Sequence, residues 1–260
     1  MVFCVAINGA IYTNLKQAIP LVMPFYLDLP LHHIDQWLFA GSEPWRITHW
    51  LFSSPFATMV INVIYNLWFF YVLFFVAYLI LSKESNWKKQ VFLVFFLTWF
   101  INGNVFATLM SSVGPCFYDY LHPQNPAYQG LMALLQEQNQ YLIDNGWLEL
   151  WSLNTQNMLW DVYNNSESGF GAGISAMPSM HNSMAILIAL AVSQRHKGLG
   201  YCAWAFAAII YIGSIHLGWH YATDGMVALV LTLIIWTMVD KCLTRKAPQT
   251  LPPASEQSPL

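Results

Sequence analysis

One histidine and one aspartate near the C-terminus have the types and spacing of a catalytic pair. His220 and Asp224 lie four residues apart, directly before an apolar run from Met226 to Val239. If a helix begins near Trp219, the imidazole and the carboxylate lie on one face of it. The carboxylate then fixes the ring tautomer and raises the basicity of the ring, as a nucleophilic or proton-transferring histidine requires. The alternative is a polar helix start at the lipid boundary, in which His220 has no chemical role.

A second histidine follows a proline in the segment Ala176-Met177-Pro178-Ser179-Met180-His181. Proline is common in the first turn of a helix and serine is a common capping residue, so this segment alone indicates little. On the same side of a membrane as His220 and Asp224, it completes a set for two-step group transfer. One histidine attacks, the aspartate supports it, and the other histidine protonates the leaving group. Phosphoryl transfer suits this set, because a phosphohistidine needs no metal ion, although the phosphoryl group needs positive charge nearby.

The composition is that of a protein embedded in a membrane. The chain has 260 residues, of which 57% are hydrophobic and only 9% are charged. Soluble domains carry about 25% charged residues, so these values predict an all-α integral membrane protein. The net charge of −3 and the lack of a basic patch argue against a nucleic-acid partner. The four cysteines have neither metal-binding nor redox spacing.

The apolar runs predict about six transmembrane helices. A bilayer is crossed by about 20 apolar residues, and five runs approach or reach that length. They are residues 56–81, 91–113, 180–193, 199–217 and 220–239. The apolar segment 1–13 is shorter, and prolines break the segment 14–55. The first helix is therefore predicted to be short or truncated.

A long loop from Asp119 to Met177 separates the second and third of these runs. Loops of that length have a structure or function of their own. The apolar and aromatic residues spaced along it predict short helices at the membrane interface, or a lid. We predict a single transmembrane domain at 1–246, followed by a disordered cytoplasmic tail at 247–260 that is rich in proline, serine and glutamine.

The basic residues predict which end of the bundle faces the cytoplasm. Eight of the ten lysines and arginines lie in three places: the 83–89 turn, the 194–198 turn and the segment 241–246. Alternating spans bring these places to one side, which the positive-inside rule makes cytoplasmic. Segment 14–55, the 114–177 loop and the His220 turn then share the outer side, where every histidine except His196 lies or borders.

Several segments resemble a known family. Pro178-Ser179-Met180-His181 and His220-Tyr221-Ala222-Thr223-Asp224 are similar to the second and third signatures of the PAP2 superfamily, the type 2 phosphatidic acid phosphatases. The branch they resemble most includes the inositol phosphorylceramide synthases, in which the signatures read PS-x-H and H-Y-x-x-D. Three further segments look like bacterial members of that branch: Asn14 to Pro20, Phe39 to Trp45 and Ser112 to Tyr118.

The resemblance implies a PAP2-like helical bundle and a role for each residue of the two motifs. It implies that His220 is the nucleophile, Asp224 its partner and His181 the general acid, with no cofactor and no metal ion. The implied substrate is a lipid phosphate or a phospholipid. The implied location is the bacterial inner membrane, with the site facing the periplasm or exterior.

Two departures from the family pattern concern the cations that bind phosphate. Family phosphatases carry a K-x6-R-P signature before the long loop, and nothing between Val91 and Asp119 supplies it. They also carry Ser-Arg shortly before the nucleophile, where this chain has Gly213 and Ser214. The usual phosphate-binding cations are therefore missing from their usual places.

Lys16 and Arg46 are the two cations on the predicted outer side of the membrane. A transferring phosphoryl group needs positive charge or aligned donors around its oxygens. We therefore predict that Lys16 and Arg46, together with Ser179, bind the substrate phosphate. The alternative is that Lys16 extends its charge to the membrane interface and that Arg46 pairs with Glu43 or Asp35.

The sequence predicts a membrane lipid-phosphate phosphatase or phosphotransferase that forms a phosphohistidine. A transferase that passes a phospholipid head group to a lipid hydroxyl is an open alternative, because it uses the same first step. A transporter whose histidines relay protons is the alternative from another class. Against it, the chain has no internal repeat and its other spans have no charged residue in the middle.

Overall fold

The computed structural model describes residues 2–165 and 173–245. Within them the chain forms helices and no β-strand, which confirms the predicted all-α class. The helices are α1 (Val2–Val22), α2 (Asp28–Leu38), α3 (Pro44–Leu51), α4 (Pro55–Leu81), α5 (Asn86–Leu109), α6 (Pro115–Leu121), α7 (Gln129–Asp144), α8 (Trp151–Asn164), α9 (Met180–Arg195), α10 (Lys197–His216) and α11 (Ala222–Arg245). The predicted disordered tail at 247–260 lies outside the described residues.

Four of the described helices are long and apolar enough to cross a membrane: α4, α5, α10 and, as far as Thr244, α11. They confirm an integral membrane protein. The predicted count of about six spans stays a prediction. Helix α9 has only 16 residues, yet it packs against α4, α5, α10 and α11, and residues 182–189 are all buried. The short helix that carries His181 is thus the centre of the bundle.

The first helix is longer than the sequence predicts. It runs from Val2 to Val22 and passes through Lys16 and Pro20. Pro20 lies in the last turn, where the loss of one backbone N–H and the clash of the ring affect little of the helix. The turn is still closed by a hydrogen bond from the Met23 N–H to the Ile19 carbonyl, at 2.8 Å.

Helix α1 packs closely on α5. The Tyr12 ring meets Trp99 edge-on, with 4.5 Å between the ring centroids. A Cβ atom at Gly103 would lie only 2.7 Å from the Tyr12 ring, so the approach requires a glycine there. This contact fixes α1, and with it Lys16, against the bundle.

Three prolines mark helix starts in the structure, and two of them lie in the segment 14–55 that the sequence analysis treats as broken by prolines. Pro44 begins α3, Pro55 begins α4 and Pro115 begins α6. The first turn of a helix leaves its N–H groups without intrahelical partners, so a proline costs nothing there. At α4 the hydroxyl of Ser54 also accepts a hydrogen bond from the Ala57 N–H, at 3.1 Å.

The long loop predicted at Asp119 to Met177 contains helices α7 and α8. Helix α8 is hydrogen-bonded to the bundle at two places. The Ser152 N–H donates to the side-chain oxygen of Asn62 at 3.1 Å, and the Gln156 amide donates to the Leu217 carbonyl at 2.9 Å. The loop therefore covers the end of the bundle where α10 turns back toward α11.

Candidate active site

The predicted pair of His220 and Asp224 forms, but by a different geometry. Helix α11 begins at Ala222, so His220 precedes it instead of sharing a helix face with Asp224. Asp224 lies in the first turn, where its Oδ2 accepts from the Tyr221 N–H at 3.0 Å. The same oxygen lies 3.2 Å from His220 Nδ1. One carboxylate thus caps the helix and holds the imidazole.

A tight turn after α10 places His220 there. The Ser214 carbonyl accepts from the Trp219 N–H at 2.9 Å and from the His220 N–H at 3.1 Å. Gly218 has a φ of +76°, a backbone conformation that favours glycine. This turn separates the end of α10 at His216 from the start of α11 at Ala222, so the predicted start near Trp219 is wrong.

His181 faces His220 across the site. Their ring centroids are 6.4 Å apart. The His181 ring stacks on Tyr65 with 4.7 Å between centroids and lies 4.1 Å from the Trp68 ring. Trp68 also donates its indole N–H to the His181 carbonyl at 2.9 Å. The structure therefore brings the two predicted histidines and Asp224 together.

Ser179 is the N-cap of α9. Its hydroxyl accepts from the Asn182 N–H at 3.4 Å and from the Asn182 side-chain amide at 2.9 Å, and Ser179 is fully buried. The capping role that the sequence allows is thus present. Phosphate binding by Ser179 stays a prediction.

Lys16 is close enough to both histidines, His220 and His181, for its charge to act on their rings. It is half-buried. The segment that leads into α9 contacts α1 at this point. Gly173 has a φ of +111°, and a Cβ there would be 3.0 Å from the Gln17 nitrogen and 3.1 Å from the Lys16 carbonyl carbon.

Arg46 has a different environment. Its guanidinium pairs with Glu43 through Nε, and it lies over the Trp45 ring at 4.6 Å from the centroid. The Arg46 side chain is 57% exposed. The alternative pairing with Glu43 is therefore the one that the structure shows, and of the two predicted cations Lys16 is the one whose charge acts on the histidines.

The surroundings keep His220 neutral. Burial first, and then the charge of Lys16, lower the pKa of His220, while a hydrogen bond to the backbone of Ala176 acts in the opposite direction. A neutral imidazole has a lone pair available for attack, which the protonated ring lacks.

Asp35 of α2 is a site residue that the sequence analysis missed in this role. Its Oδ2 accepts from the Ala222 N–H at 2.7 Å, and its Oδ1 accepts from the Thr223 N–H at 3.0 Å and the Thr223 hydroxyl at 2.6 Å. Burial raises the pKa of Asp35, and these three hydrogen bonds oppose the rise. Since every partner donates, the carboxylate is the form that fits. Asp35 thus caps α11 from another helix.

Asp28 supports the same loop from a position two turns before Asp35, at the start of α2. One oxygen accepts from the Gly114 N–H at 3.0 Å and from the Tyr221 hydroxyl at 3.0 Å, and both oxygens contact the Val113 N–H. A Cβ at Gly114 would lie 2.6 Å from the Trp219 carbonyl oxygen, so only glycine fits there. The segment 112–118 and the His220 turn are therefore locked together.

The sequence contains a signal for these two aspartates. Asp28, His32 and Asp35 follow one another at steps of four and three residues, which places all three on one face of α2. His32 shares this buried face and lies 3.1 Å from the Tyr128 hydroxyl through Nδ1. A polar stripe on a helix marks a polar contact, although it does not identify the partner.

His216, four residues before His220, belongs to a separate cluster. Its Nε2 lies 2.9 Å from the Thr58 hydroxyl and its Nδ1 lies 3.2 Å from the Thr48 hydroxyl. The ring also stacks on His49 with 3.7 Å between centroids. Both ring nitrogens have partners, so His216 is a hydrogen-bonded histidine of the packed interior.

The packing explains why the Ser-Arg positions of the family cannot be refilled. A Cβ at Gly213 would lie 3.2 Å from an Ile61 methyl carbon and 3.3 Å from the Tyr65 ring. Ser214 is fully buried and donates its hydroxyl to the Tyr211 carbonyl at 2.8 Å. A larger side chain at Gly213 would have to displace these α4 side chains, and one at Ser214 would enter a fully buried position.

The comparison with protein families agrees with the motifs. The family model of the PAP2 superfamily matches residues 29–238, which is most of the 260-residue chain and includes His181, His220 and Asp224. The match begins after Lys16. No curated protein and no solved structure matches the chain. With its helical bundle, its apolar spans and the two converging histidine motifs, the chain belongs to the PAP2 superfamily.

Proposed function

We propose that this membrane protein transfers a phosphoryl group of a lipid phosphate through a phosphohistidine at His220. Membership of the superfamily supports a function of the phosphatase or phosphotransferase type. The observation that carries the proposal is the arrangement of His181 opposite His220, with Asp224 behind His220. That arrangement supplies a nucleophile, its partner and a proton donor within one site.

The first chemical step forms a bond between nitrogen and phosphorus. Asp224 holds the Nδ1 side of His220, so the Nε2 lone pair attacks the phosphorus and the bond to the leaving oxygen breaks. His181, in its protonated form, gives its proton to that oxygen and becomes neutral.

The second step returns the enzyme to its starting state. A hydroxyl of water or of a lipid acceptor loses its proton to His181 and attacks the phosphorus, and the nitrogen–phosphorus bond breaks. Water gives a phosphatase and a lipid hydroxyl gives a transferase. The resemblance of His220-Tyr221-Ala222-Thr223-Asp224 to the synthase branch favours testing both. Labelled lipid, incubated with and without an acceptor, separates them by the product formed.

The test of the function is phosphate release from a panel of lipid phosphates and diphosphates by the purified protein in bilayers. Release from at least one substrate is expected. A protein that releases no phosphate and yields no transfer product, yet moves a solute across liposomes, would instead be a transporter. The proposed orientation, with the site outside, rests on the basic residues of the 83–89 and 194–198 turns.

Vanadate is expected to inhibit and a chelator is not. Vanadate adopts the trigonal-bipyramidal shape of the transferring phosphoryl group, so a site built for that shape binds it tightly. The measurement is phosphate release against vanadate concentration, repeated in the presence of chelator. Activity that returns only when a divalent ion is added would contradict the mechanism.

Lys16→Ala is expected to reduce kcat/KM by about 10²- to 10³-fold, the usual cost of removing one electrostatic stabiliser of a transition state. Lys16→Arg should retain more activity, since it keeps the charge. Arg46→Ala is the matched control, and it should lose less because Glu43 already neutralises that guanidinium. Equal losses in Lys16→Ala and Arg46→Ala would show that both cations bind the substrate phosphate. Full activity in the double variant would show that neither of them does.

Asp35→Asn is expected to lower kcat by about 10- to 100-fold and to leave KM nearly unchanged. The amide presents a donor where the Ala222 N–H or the Thr223 groups need an acceptor, and an unpaired buried donor costs about 1–3 kcal/mol. Asp144→Asn on α7 is the control, because that acid is exposed and its partner is Gln140. A lower melting temperature with an unchanged kcat would show that Asp35 stabilises the fold without positioning His220.

A further inference from the structure

Helix α2 is amphipathic, but it buries its polar side and exposes its apolar side, the opposite of a helix on a water-soluble surface. Its polar residues Asp28, His32 and Asp35 are buried. Its exposed side is mainly apolar and consists of Leu29, Pro30, His33, Ile34, Trp37 and Leu38. Trp37 is 80% exposed. A surface helix in water normally buries its apolar side and exposes its polar side.

Helix α3 also exposes apolar residues. It buries Thr48 and His49 together with Trp45, while Ile47, Trp50 and Leu51 are exposed, Trp50 by 79%. Arg46 is the only exposed lysine, arginine, aspartate or glutamate within α2 and α3, and it is paired with Glu43 just before α3. We call the exposed sides of α2 and α3 together the outer apolar face.

Helix α7, in the long loop, has the ordinary pattern. It buries Leu131, Leu135 and Leu142. Its exposed side includes Gln136, Glu137, Gln140 and Asp144. The contrast within one chain indicates that α7 and the outer apolar face have different surroundings.

We infer that the outer apolar face lies in the lipid bilayer and that its contacts are lipid acyl chains and head groups. Exposed apolar residues lie on both sides of the turn from α3 into the span α4, at Leu51, Phe52 and Phe56, with the exposed Ser53 and Ser54 between them. Helices with one apolar face and tryptophans at its edge lie in the membrane interface. This inference goes beyond the proposed function and does not depend on it.

The inference fixes the level of the active site in the membrane. Asp28 and Asp35 bind the His220 loop from one side of α2, and the outer apolar face is the other side of the same helix. A helix with its side chains is about 10–12 Å wide. Lipid therefore lies one helix away from the catalytic histidines, beside the site and not beneath it.

Spin labels can test this placement without any measurement of activity. Ile34→Cys, Trp37→Cys and Trp50→Cys are labelled with a nitroxide in the full chain in bilayers, and Gln136→Cys serves as the water-facing control. Cys4, Cys202 and Cys242 are replaced by alanine, and the buried Cys116 is kept. Accessibility to oxygen, which concentrates in lipid, is compared with accessibility to a water-soluble nickel chelate. Three separate positions keep the test valid if one variant fails to fold.

The expected result is an oxygen-to-nickel accessibility ratio severalfold higher at the three positions than at position 136. Nickel accessibility equal to that of the control would place the outer apolar face in water and overturn the inference. Low accessibility to both reagents, with dipolar broadening between labels, would show a second copy of the chain on this face and would overturn it too. Either failure leaves the phosphate-release test unaffected, so the two proposals fail separately.

Discussion

His220→Ala is expected to abolish turnover of every lipid phosphate, with a loss of at least about 10⁴-fold, the scale seen when a nucleophile is removed. The variant cannot form the nitrogen–phosphorus bond, and neither Asp224 nor His181 can replace the imidazole from where it lies. The measurements are phosphate release and trapping of a labelled phosphoenzyme by an alkaline quench, because the nitrogen–phosphorus bond is hydrolysed in acid. Both signals should be lost together.

The matched control is His33→Ala. His33 is an exposed histidine on α2, and its ring lies 5.5 Å from His32 between centroids. It should retain nearly full activity, so a general effect of losing a histidine is separated from the loss of the nucleophile. Substantial turnover in His220→Ala, or a phosphoenzyme that survives in it, would mean that another residue attacks.

His181→Ala is expected to lose about 10²- to 10⁴-fold with a lipid alkyl phosphate, the usual contribution of a general acid. An alkoxide is a poor leaving group and needs the proton of His181. Nitrophenolate is a good leaving group that does not need this proton. The variant should therefore form the phosphoenzyme from nitrophenyl phosphate at a rate close to that of the unaltered protein. The measurement is the burst of nitrophenol in a rapid-mixing experiment.

The two histidine variants must therefore differ in kind. His181→Ala should give a burst and then turn over slowly, because the second step also needs a base for the attacking hydroxyl. His220→Ala should give no burst. If His181→Ala loses the same factor with both leaving groups, His181 binds the phosphoryl group or packs the site, and it is not the acid.

How much of the site the sequence predicts depends on the distance between partners along the chain. His220 and Asp224 are four residues apart, and that spacing alone indicates the pair. The helix start is misplaced by three residues because Asp224 accepts from the Tyr221 N–H and thereby defines a cap, which no apolar pattern reveals. His181 was joined to them by the motif resemblance and the predicted topology.

The residues that the sequence could not place have distant backbone partners. Asp35 binds N–H groups more than 180 positions away, and any residue except proline could supply such a donor. The length of α1 was underestimated because a proline in its last turn reads as a stop. The sequence also does not predict which face of α2 is buried, because periodicity identifies a polar and an apolar face without showing which of them faces the protein.

Helix α2, with the reaction on one side and an apolar surface on the other, has a consequence for how the protein works in a living membrane. If lipid covers Trp37 and Trp50, the lateral pressure and thickness of the bilayer act directly on α2, the helix that carries Asp28 and Asp35. The catalytic rate then depends on the surrounding lipid as well as on the amino-acid sequence. Detergent that strips these lipids would slow the enzyme without unfolding it, and added lipid would restore the rate.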